Sequence, residues 1–158
     1  MVIRRATRED RAALGRLGAL LMTMHYEFDR RRFLAPGEHA EEGYADFLAS
    51  QLEDPDSLVL VAEHDGTVVG YCYAGIEPLS WKELRDKAGF IHDLFVDPAA
   101  RGQGAGEALA RAAIAWLRER GLPRVMLWTA PGNTTAQTLF RKAGFRETMI
   151  EMTLELAR

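Results

Sequence analysis

Three glycines at alternate positions stand directly before an amphipathic run, and this arrangement limits most strongly how the chain can fold. Gly102, Gly104 and Gly106 lie between a candidate strand that ends at Val96 and a helical pattern over residues 104–120. Each glycine costs about 0.5–1 kcal/mol relative to alanine inside regular structure, so this helix start needs a compensating gain. The first helical turn carries unpaired N–H groups and partial positive charge, and glycine lets a phosphate come close. The strand, glycine loop and helix therefore predict an anion site.

The residues around the glycines exclude two familiar phosphate-binding loops. A Walker loop needs Gly-Lys followed by Ser or Thr, and the chain contains no Gly-Lys pair. A dinucleotide fingerprint needs G-x-G-x-x-G. Counted from Gly104 the position of the third glycine is Leu109, and counted from Gly102 it is Glu107, so the fingerprint is absent. Arg101 adds a positive side chain at the mouth of the loop. A loop that opens a helix without binding a ligand remains the alternative at this point.

Composition and charge narrow the classes of protein. The chain has 158 residues, 47% of them hydrophobic, which suits one domain with a real core. A net charge of −3 argues against a nucleic-acid partner, which usually meets a basic surface. The single cysteine, Cys72, allows no internal disulfide and no cysteine metal cluster, and the histidines show no ligand spacing, so no metal is expected. With no long apolar run and no apolar leader at the start, we expect a cytoplasmic protein that does not enter a membrane.

Hydrophobic periodicity and turn residues divide the chain into six strands and four helices in the order β-α-α-β-β-β-α-β-α-β. Asp65-Gly66 is a strong hairpin signal between the second and third strands. A meander followed by a βαβ unit predicts a mixed sheet with helices on its faces. The predicted strands cover residues 2–5, 58–63, 67–74, 89–96, 124–129 and 146–156. The predicted helices lie around residues 14–28, 44–52, 104–120 and 134–143.

The glycine stretch also resembles a known family motif. Residues 101–106, Arg-Gly-Gln-Gly-Ala-Gly, resemble the R/Q-x-x-G-x-G motif of the GNAT superfamily of N-acetyltransferases. Residues 91–98 look like the strand that precedes this motif, and residues 133–145 look like the family's later N..A..LY.K.GF block. The element order fits nearly the whole chain, although the N-terminal third matches only as two helices.

The resemblance implies a fold, a division of the chain and an activity. The fold would be mixed α/β (α+β), with a mostly antiparallel sheet of 6–7 strands and about four helices. Residues 1–158 would form one N-acetyltransferase domain, with a variable acceptor side in 1–57 and an acetyl-CoA-binding core in 87–145. The reaction would transfer the acetyl group of acetyl-CoA to a primary amine. The resemblance modestly favours an amine of a small molecule over the terminus of a protein. Dimers through the last strands are common in that superfamily, so a homodimer is expected.

The resemblance also implies which residues hold acetyl-CoA. Backbone N–H groups of the glycine loop would bind its pyrophosphate, and the main chain at the end of the preceding strand would bind its pantetheine arm like an added strand. Asn133 would bind the arm from the far wall, although the same residue is an equally good helix N-cap. The implied cofactor-binding residues are Leu94, Phe95, Val96, Arg101, Gly102, Gln103, Gly104, Ala105, Gly106, Glu107 and Asn133.

Two neighbouring residues are the candidates for catalysis. His92 and Asp93 lie on the strand near the expected acetyl end. An imidazole titrates nearest to neutral pH and suits a general base, whereas a carboxylate suits the orientation of an ammonium group. Neighbours on a regular strand point to opposite faces, so we expect only one of the two to face the acceptor. A polar side chain satisfied inside the sheet is the alternative for each.

One position departs from the family pattern. Phe140 stands where the family usually has a tyrosine that protonates the leaving thiol, and a phenyl ring has no proton to give. Tyr71, Cys72 and Tyr73 are candidate replacements, with the two tyrosines on one face and the cysteine on the other. The departure keeps open a non-catalytic module that binds or senses acyl-CoA. A nucleotide-binding protein of another fold is a third possibility.

Overall fold

The hydrophobic strands of the chain form one five-stranded sheet in the computed structural model, which describes residues 1–157. The strands are β1 (Val2–Arg5), β2 (Ser57–His64), β3 (Thr67–Glu77), β4 (Ala88–Val96) and β5 (Val125–Met126). Their spatial order is β1-β2-β3-β4-β5, antiparallel except for the parallel β4–β5 pair. The predicted hairpin is confirmed: Asp65 and Gly66 both have positive φ, at 47° and 75°, and join β2 to β3.

Four helices cover the two faces of the sheet. They are α1 (Arg11–Phe28), α2 (Ala40–Gln51), α3 (Ala105–Glu119) and α4 (Thr134–Lys142). One buried cluster joins α1 and α2 to one face of the sheet, and a second joins α3 and α4 to the other. We call the first side the acceptor face. The predicted mixed fold with four helices is confirmed, and no helix within residues 1–157 is long and apolar enough to cross a membrane.

Helices α1 and α2 pack closely because small residues line their contact. A Cβ atom added to Gly18 would lie 2.0 Å from Cδ1 of Tyr44, so the tyrosine ring occupies the space that any larger residue would fill. The ring therefore crosses α1 at this point, and its hydroxyl reaches the sheet beneath. This contact matters for the site described below.

The C-terminal residues correct the predicted sheet. The strand predicted over 146–156 is wrong: residues 145–157 contain no strand, so the described chain has five strands rather than 6–7. The strand predicted over 124–129 is reduced to two residues of β5. Apolar and polar residues do alternate over 150–156, but a strand needs a partner edge for its backbone groups. The C-terminal segment (residues 146–157) pairs with no strand within residues 1–157.

Candidate active site

The sheet opens between its last two strands. β4 and β5 pair only at Gly89–Val125 and Phe90–Met126, after which β4 runs on to Val96 while the chain after β5 diverges. The other edge of β4 stays paired with β3 along its length. The backbone of β4 beyond Phe90 therefore presents one free edge to a gap, and an extended ligand could lie there as an added strand.

The glycine loop occupies the end of this gap, and its glycines are needed for two different reasons. Gly102 and Gly104 have φ angles of +81° and +82°, a region that side-chain-bearing residues rarely adopt. Gly106 has a helical conformation, but a Cβ atom there would lie 3.2 Å from Cδ1 of Leu139 on α4. The first two glycines shape the turn, and the third lets α3 and α4 approach each other.

The turn leaves a cluster of backbone donors free. Within residues 1–157, the amides from Gly102 to Glu107 donate to no protein acceptor. They comprise the loop and the first turn of α3, where the helix dipole adds partial positive charge. Such a group of N–H donors can hold an anionic phosphate.

Arg101 lies back on the strand rather than over the loop. Its Nε donates to the carbonyl oxygen of Val96 at 3.1 Å, and its guanidinium lies 5.7 Å from the ring centroid of Phe95. A terminal nitrogen also contacts the sulfur of Met24 on α1. The side chain is exposed, so it can rotate to the loop, and its present position occupies a backbone acceptor at the free edge of β4.

A β-bulge decides the direction of the two candidate catalytic side chains. Tyr73 of β3 pairs with Asp93, and the next residue, Ala74, pairs with Ile91, so His92 has no partner. An extra residue in one strand breaks the alternation of its side chains. His92 and Asp93 therefore both point to the acceptor face, and the prediction that only one of them would is wrong.

Asp93 is held from one side and open on the other. Its Oδ2 accepts hydrogen bonds from Tyr71 Oη at 2.9 Å and from the Tyr44 hydroxyl that passes Gly18. Its Oδ1 accepts no hydrogen bond from residues 1–157 and is not closed off from solvent. Removal of the carboxyl group from water raises its pKa, although the two tyrosine hydroxyls oppose that shift. The site holds an oxygen atom with unused acceptor capacity, whose charge is costly without a cation nearby.

His92 lies nearer to solvent beside Asp93. Its Nε2 is 3.0 Å from Oε1 of Glu77, at the end of β3. Its ring stacks on Tyr73 and on Phe90, with centroid separations of 4.9 and 5.6 Å. The stacking and the carboxylate fix the orientation of the imidazole, so that it can exchange a proton with solvent or with a ligand.

The remaining predicted residues lie around the gap in different settings. Asn133 is the N-cap of α4, and its side chain accepts from the amide of Ala136 at 3.2 Å, which leaves its NH₂ group for other partners. Phe140 is buried against the α3 side and packs edge-on against Phe145. Cys72 faces that same side, where burial raises the pKa of its thiol.

The two tyrosines of β3 lie on the acceptor face, as the alternation predicted. Tyr71 is bonded to Asp93, and the hydroxyl of Tyr73 donates to Oε1 of Gln51 at 3.1 Å. Sequence reasoning missed Tyr44, the first residue of the helix predicted over 44–52. Its polar tip at a core position, opposite a glycine on the preceding helix, is the one signal that could have found it. Within residues 1–157, no group of three potential metal ligands comes together.

Comparisons with known proteins identify the family of the chain. The model of the acetyltransferase (GNAT) family matches residues 22–145. The chain is 38% identical over 125 residues to mycothiol acetyltransferase of Cellulomonas flavigena. This alignment covers 72% of the chain and 35% of the relative. It is 31% identical over 110 residues to aminoglycoside N(6')-acetyltransferase type 1 of Klebsiella aerogenes, covering 70% of this chain and 72% of the relative. The chain thus spans about a third of the mycothiol enzyme's length.

The fold has close counterparts among solved structures. The tetramutant of the BH1408 protein from Bacillus halodurans superposes with a TM-score of 0.83 at 24% identity, covering 99% of this chain and 100% of that one. The likeness extends over the whole sheet and its helices. At 24% identity this likeness shows the fold. The family match across residues 22–145 shows that the chain belongs to the GNAT family of acetyltransferases.

Proposed function

We propose that this protein transfers the acetyl group of acetyl-CoA to a primary amine of a small molecule, by direct attack of the amine. The observation that carries the proposal is the bulge in β4, which brings His92 and Asp93 to one face beside the free edge of the strand. A proton acceptor and a carboxylate then lie together, where the end of a bound thioester would emerge. An ammonium ion must lose a proton before its nitrogen can attack a carbonyl, and these two groups can orient the ion and accept that proton.

The chain offers donors and acceptors that fit acetyl-CoA, which supplies an activated acetyl thioester when bound. The free amides from Gly102 to Glu107 would bind the pyrophosphate. The open backbone of Leu94, Phe95 and Val96 would bind the pantetheine arm, once Arg101 leaves the Val96 carbonyl and turns to the phosphates. The free NH₂ group of Asn133 would meet the arm from the far wall.

Asp93 would receive the acceptor as an ammonium ion. Its Oδ1 has no partner within residues 1–157, and a cation there would offset the cost of the half-buried charge. Tyr44 and Tyr71 hold Oδ2, which directs Oδ1 to the open side. The carboxylate would therefore orient the nitrogen toward the thioester carbonyl.

His92 would then take the proton that makes the amine reactive. An amine similar to lysine has a pKa near 10.4, so nearly all of it is protonated at neutral pH and a base accelerates the reaction. Glu77 lies 3.0 Å from Nε2 and would stabilise the imidazolium that results. Phe140 offers no hydroxyl to the leaving sulfur. Because a thiol has a pKa of about 8.5, the thiolate can leave without an acid.

The relatives guide the choice of acceptor. One is named for mycothiol and another for aminoglycosides, both small molecules. We therefore extend the proposal to a small-molecule amine, with residues 1–57 forming the acceptor side and residues 87–145 the acetyl-CoA core. A homodimer and a cytoplasmic location are part of the same proposal and rest on the sequence expectations.

Phe140 favours one alternative, a GNAT-like module that binds acyl-CoA without catalysis. Its ring is buried among apolar side chains, so the position offers no proton to a leaving group. In that case the chain would bind the thioester and leave it intact.

Thiol release distinguishes the two functions. The protein is mixed with acetyl-CoA and a panel of amino sugars, aminoglycosides, polyamines and single amino acids, and the released thiol is titrated. We expect turnover with at least one of these amines. Tight acetyl-CoA binding without thiol release from any amine would favour the sensing module and contradict the enzyme.

A further inference from the structure

Five aromatic side chains form one continuous row across the acceptor face. The rings of Tyr73, His92 and Phe90 lie side by side, with centroids 4.9 and 5.6 Å apart and interplanar angles of 29° and 13°. Phe47 of α2 meets Tyr73 edge-on at 5.6 Å, and Trp128, which follows β5, meets Phe90 edge-on at 6.2 Å. All four separations lie in the range of roughly 4.5–7 Å where aromatic pairs attract each other. We call these five rings the aromatic row.

The aromatic row passes beside Asp93. Tyr73 pairs with Asp93 in the register of the sheet, and His92 is its neighbour on β4. Tyr44, whose hydroxyl donates to Oδ2 of Asp93, lies edge-on to Phe47 with ring centroids 6.0 Å apart. A ligand held at the free Oδ1 of Asp93 therefore lies next to the row.

The row has an uncovered ring at each end. Trp128 is 78% exposed and Phe47 is 45% exposed, whereas Phe90 between them is 5% exposed. Leu127 packs on the α3 side, so its neighbour Trp128 turns to the acceptor face. Ligand sites are lined mostly by apolar and aromatic side chains, with a few polar groups that fix orientation. The row and the free oxygen of Asp93 together have this composition.

Arg85 fixes the row from the loop between β3 and β4. Its side chain is 8% exposed, and its guanidinium lies 5.0 Å from the ring centroid of Phe90. The same group donates to the carbonyl oxygens of Pro78 and Asp86 at 3.0 Å and pairs with Glu83 at 2.8 Å. Because these contacts hold the guanidinium and the ring in place, a ligand meets a preformed surface, which lowers the entropy cost of binding.

The charges beside the row fit one ammonium group. Oδ1 of Asp93 accepts no hydrogen bond from residues 1–157. Other carboxylates near the row already have partners: Glu77 lies 3.0 Å from His92, and Asp54 accepts from the Ser57 hydroxyl at 3.0 Å and from a turn amide at 2.9 Å. A second ammonium group would compete with these partners for a carboxylate, whereas an uncharged ring would meet a surface of its own kind.

We propose that the acceptor is a primary amine with an aromatic body, which the aromatic row holds while Oδ1 of Asp93 holds the ammonium group. This inference rests on the proposed function and names its substrate class: an ammonium group joined by a short chain to an uncharged ring. An aromatic body gains ring–ring contacts that an alkyl chain of equal length cannot make, and it loses less rotational freedom on binding. A second ammonium group would instead lose water beside rings and partnered carboxylates.

Three amines of similar length separate the contributions of ring, chain and charge. Phenethylamine carries one charge and a ring, hexylamine one charge and a flexible chain, and cadaverine two charges on a chain. Thiol release from acetyl-CoA gives kcat/KM for each amine. The value for phenethylamine is expected to exceed that for hexylamine at least about threefold. It should exceed that for cadaverine at least about 30-fold, because the second charge loses water without gaining a free partner.

A matched pair of tryptophan variants tests the row itself. Trp128→Leu removes the more exposed ring of the row and should lower kcat/KM for phenethylamine about tenfold, with cadaverine turnover and acetyl-CoA affinity unchanged. Trp81→Leu removes a ring that is 84% exposed and contacts no other aromatic ring within residues 1–157. This control should leave all three amines unaffected. Both side chains are exposed, so both variants should keep the melting temperature of the unmodified protein.

Fluorescence reads the same contact without acetyl transfer. The full chain carrying Trp81→Phe and Trp116→Phe retains Trp128 as its single tryptophan. With coenzyme A present in place of acetyl-CoA, phenethylamine is expected to change the emission of Trp128 along a saturable curve. Cadaverine at the same concentrations should leave the emission unchanged.

Three outcomes would overturn the inference. One is a kcat/KM for cadaverine equal to or above that for phenethylamine. Another is a Trp128→Leu variant that loses activity equally with all three amines or loses acetyl-CoA affinity, which would assign the ring to the cofactor. The third is an emission of Trp128 that phenethylamine does not change. Absence of thiol release with every amine would contradict the proposed function instead, and the fluorescence titration would still decide whether the row binds an aromatic amine.

Discussion

The two sides of the candidate site obtain their geometry in different ways. On the cofactor side, the donors come from consecutive residues, and the positive φ angles of Gly102 and Gly104 shape the loop locally. On the acceptor side, Asp93 is oriented by the bulge against β3 and by Tyr44, 49 residues away in sequence. Local geometry survives changes elsewhere in the fold, whereas the acceptor geometry depends on several elements at once. Substitutions on the two sides should therefore separate cofactor affinity from rate and pH dependence.

Asp93→Asn should have the largest effect on the acceptor side. We expect kcat/KM for the amine to fall about 10²–10³-fold, because the ammonium ion loses the carboxylate that orients it. The affinity for acetyl-CoA should not change, because the amides of the glycine loop are untouched. Steady-state kinetics and calorimetry measure the two quantities. Weakened acetyl-CoA binding with unchanged turnover would show that the two sides are not separable.

The same variant changes how stability depends on pH. Burial raises the pKa of Asp93 above its usual value of 3.8. Between that value and the raised one, the native state binds more protons than the unfolded state, so this group lowers stability as pH rises. In Asp93→Asn the free energy of unfolding should fall less between about pH 4 and pH 8 than in the unmodified protein. Urea unfolding from pH 4 to pH 8 gives the comparison, and an unchanged pH dependence would contradict the burial of a titrating carboxyl.

Gly104→Val should have the largest effect on the cofactor side. Its φ of +82° strains a branched residue, and the side chain would keep a phosphate from the amides. Loss of two charge-assisted bonds, each about 1.5–3 kcal/mol, predicts at least about a 100-fold weaker affinity for acetyl-CoA. Gly121→Val is the matched control, since Gly121 has a φ of +74° at the far end of α3. Equal loss of affinity in both variants would mean that backbone strain alone, not the loop donors, is responsible.

His92→Gln should have a moderate effect. The imidazole is near solvent, so water can take over part of its role, and we expect about a tenfold lower kcat/KM. Acetyl-CoA affinity should again be unchanged. His64→Gln, at the partly buried end of β2 away from His92, is the control and should behave as the unmodified protein. Activity of His92→Gln equal to that of the control would remove His92 from the catalytic assignment.

Tyr44→Phe should have the smallest effect and gives the sharpest test of the long-range contact. Removing a donor to the ionised carboxylate raises the pKa of Asp93 further. As the pH is lowered, the variant should therefore lose activity at a pH about one unit higher than the unmodified protein does. Tyr73→Phe also deletes a hydroxyl from the acceptor face, but that group is bonded to Gln51 and should leave the profile in place. The pH–rate profiles of the two variants show whether the Tyr44 hydroxyl controls the pKa of Asp93. Identical profiles would show that Tyr44 does not control Asp93.

Part of the fold and of the site could be read from local patterns. The α3 helix begins and ends within one residue of its predicted limits, because apolar spacing and a following Gly-x-Pro are local signals. The glycine loop is predictable from its glycines, because the conformations of Gly102 and Gly104 depend on their own φ angles. The strand predicted over 146–156 failed for a related reason, since alternation records what a strand needs and not where its partner lies.

Local patterns in the chain were enough to establish the family, the order of the helices and strands through α4, and the glycine turn before α3, since each depends on neighbouring residues. The tertiary structure decided that His92 and Asp93 share a face, because the bulge exists only in the pairing of β4 with β3. It also decided that Tyr44 reaches Asp93 past Gly18, and that the last residues stay unpaired in one chain. Those features depend on register and on contacts between distant segments, and the free energy of such contacts is settled only when the layers pack together.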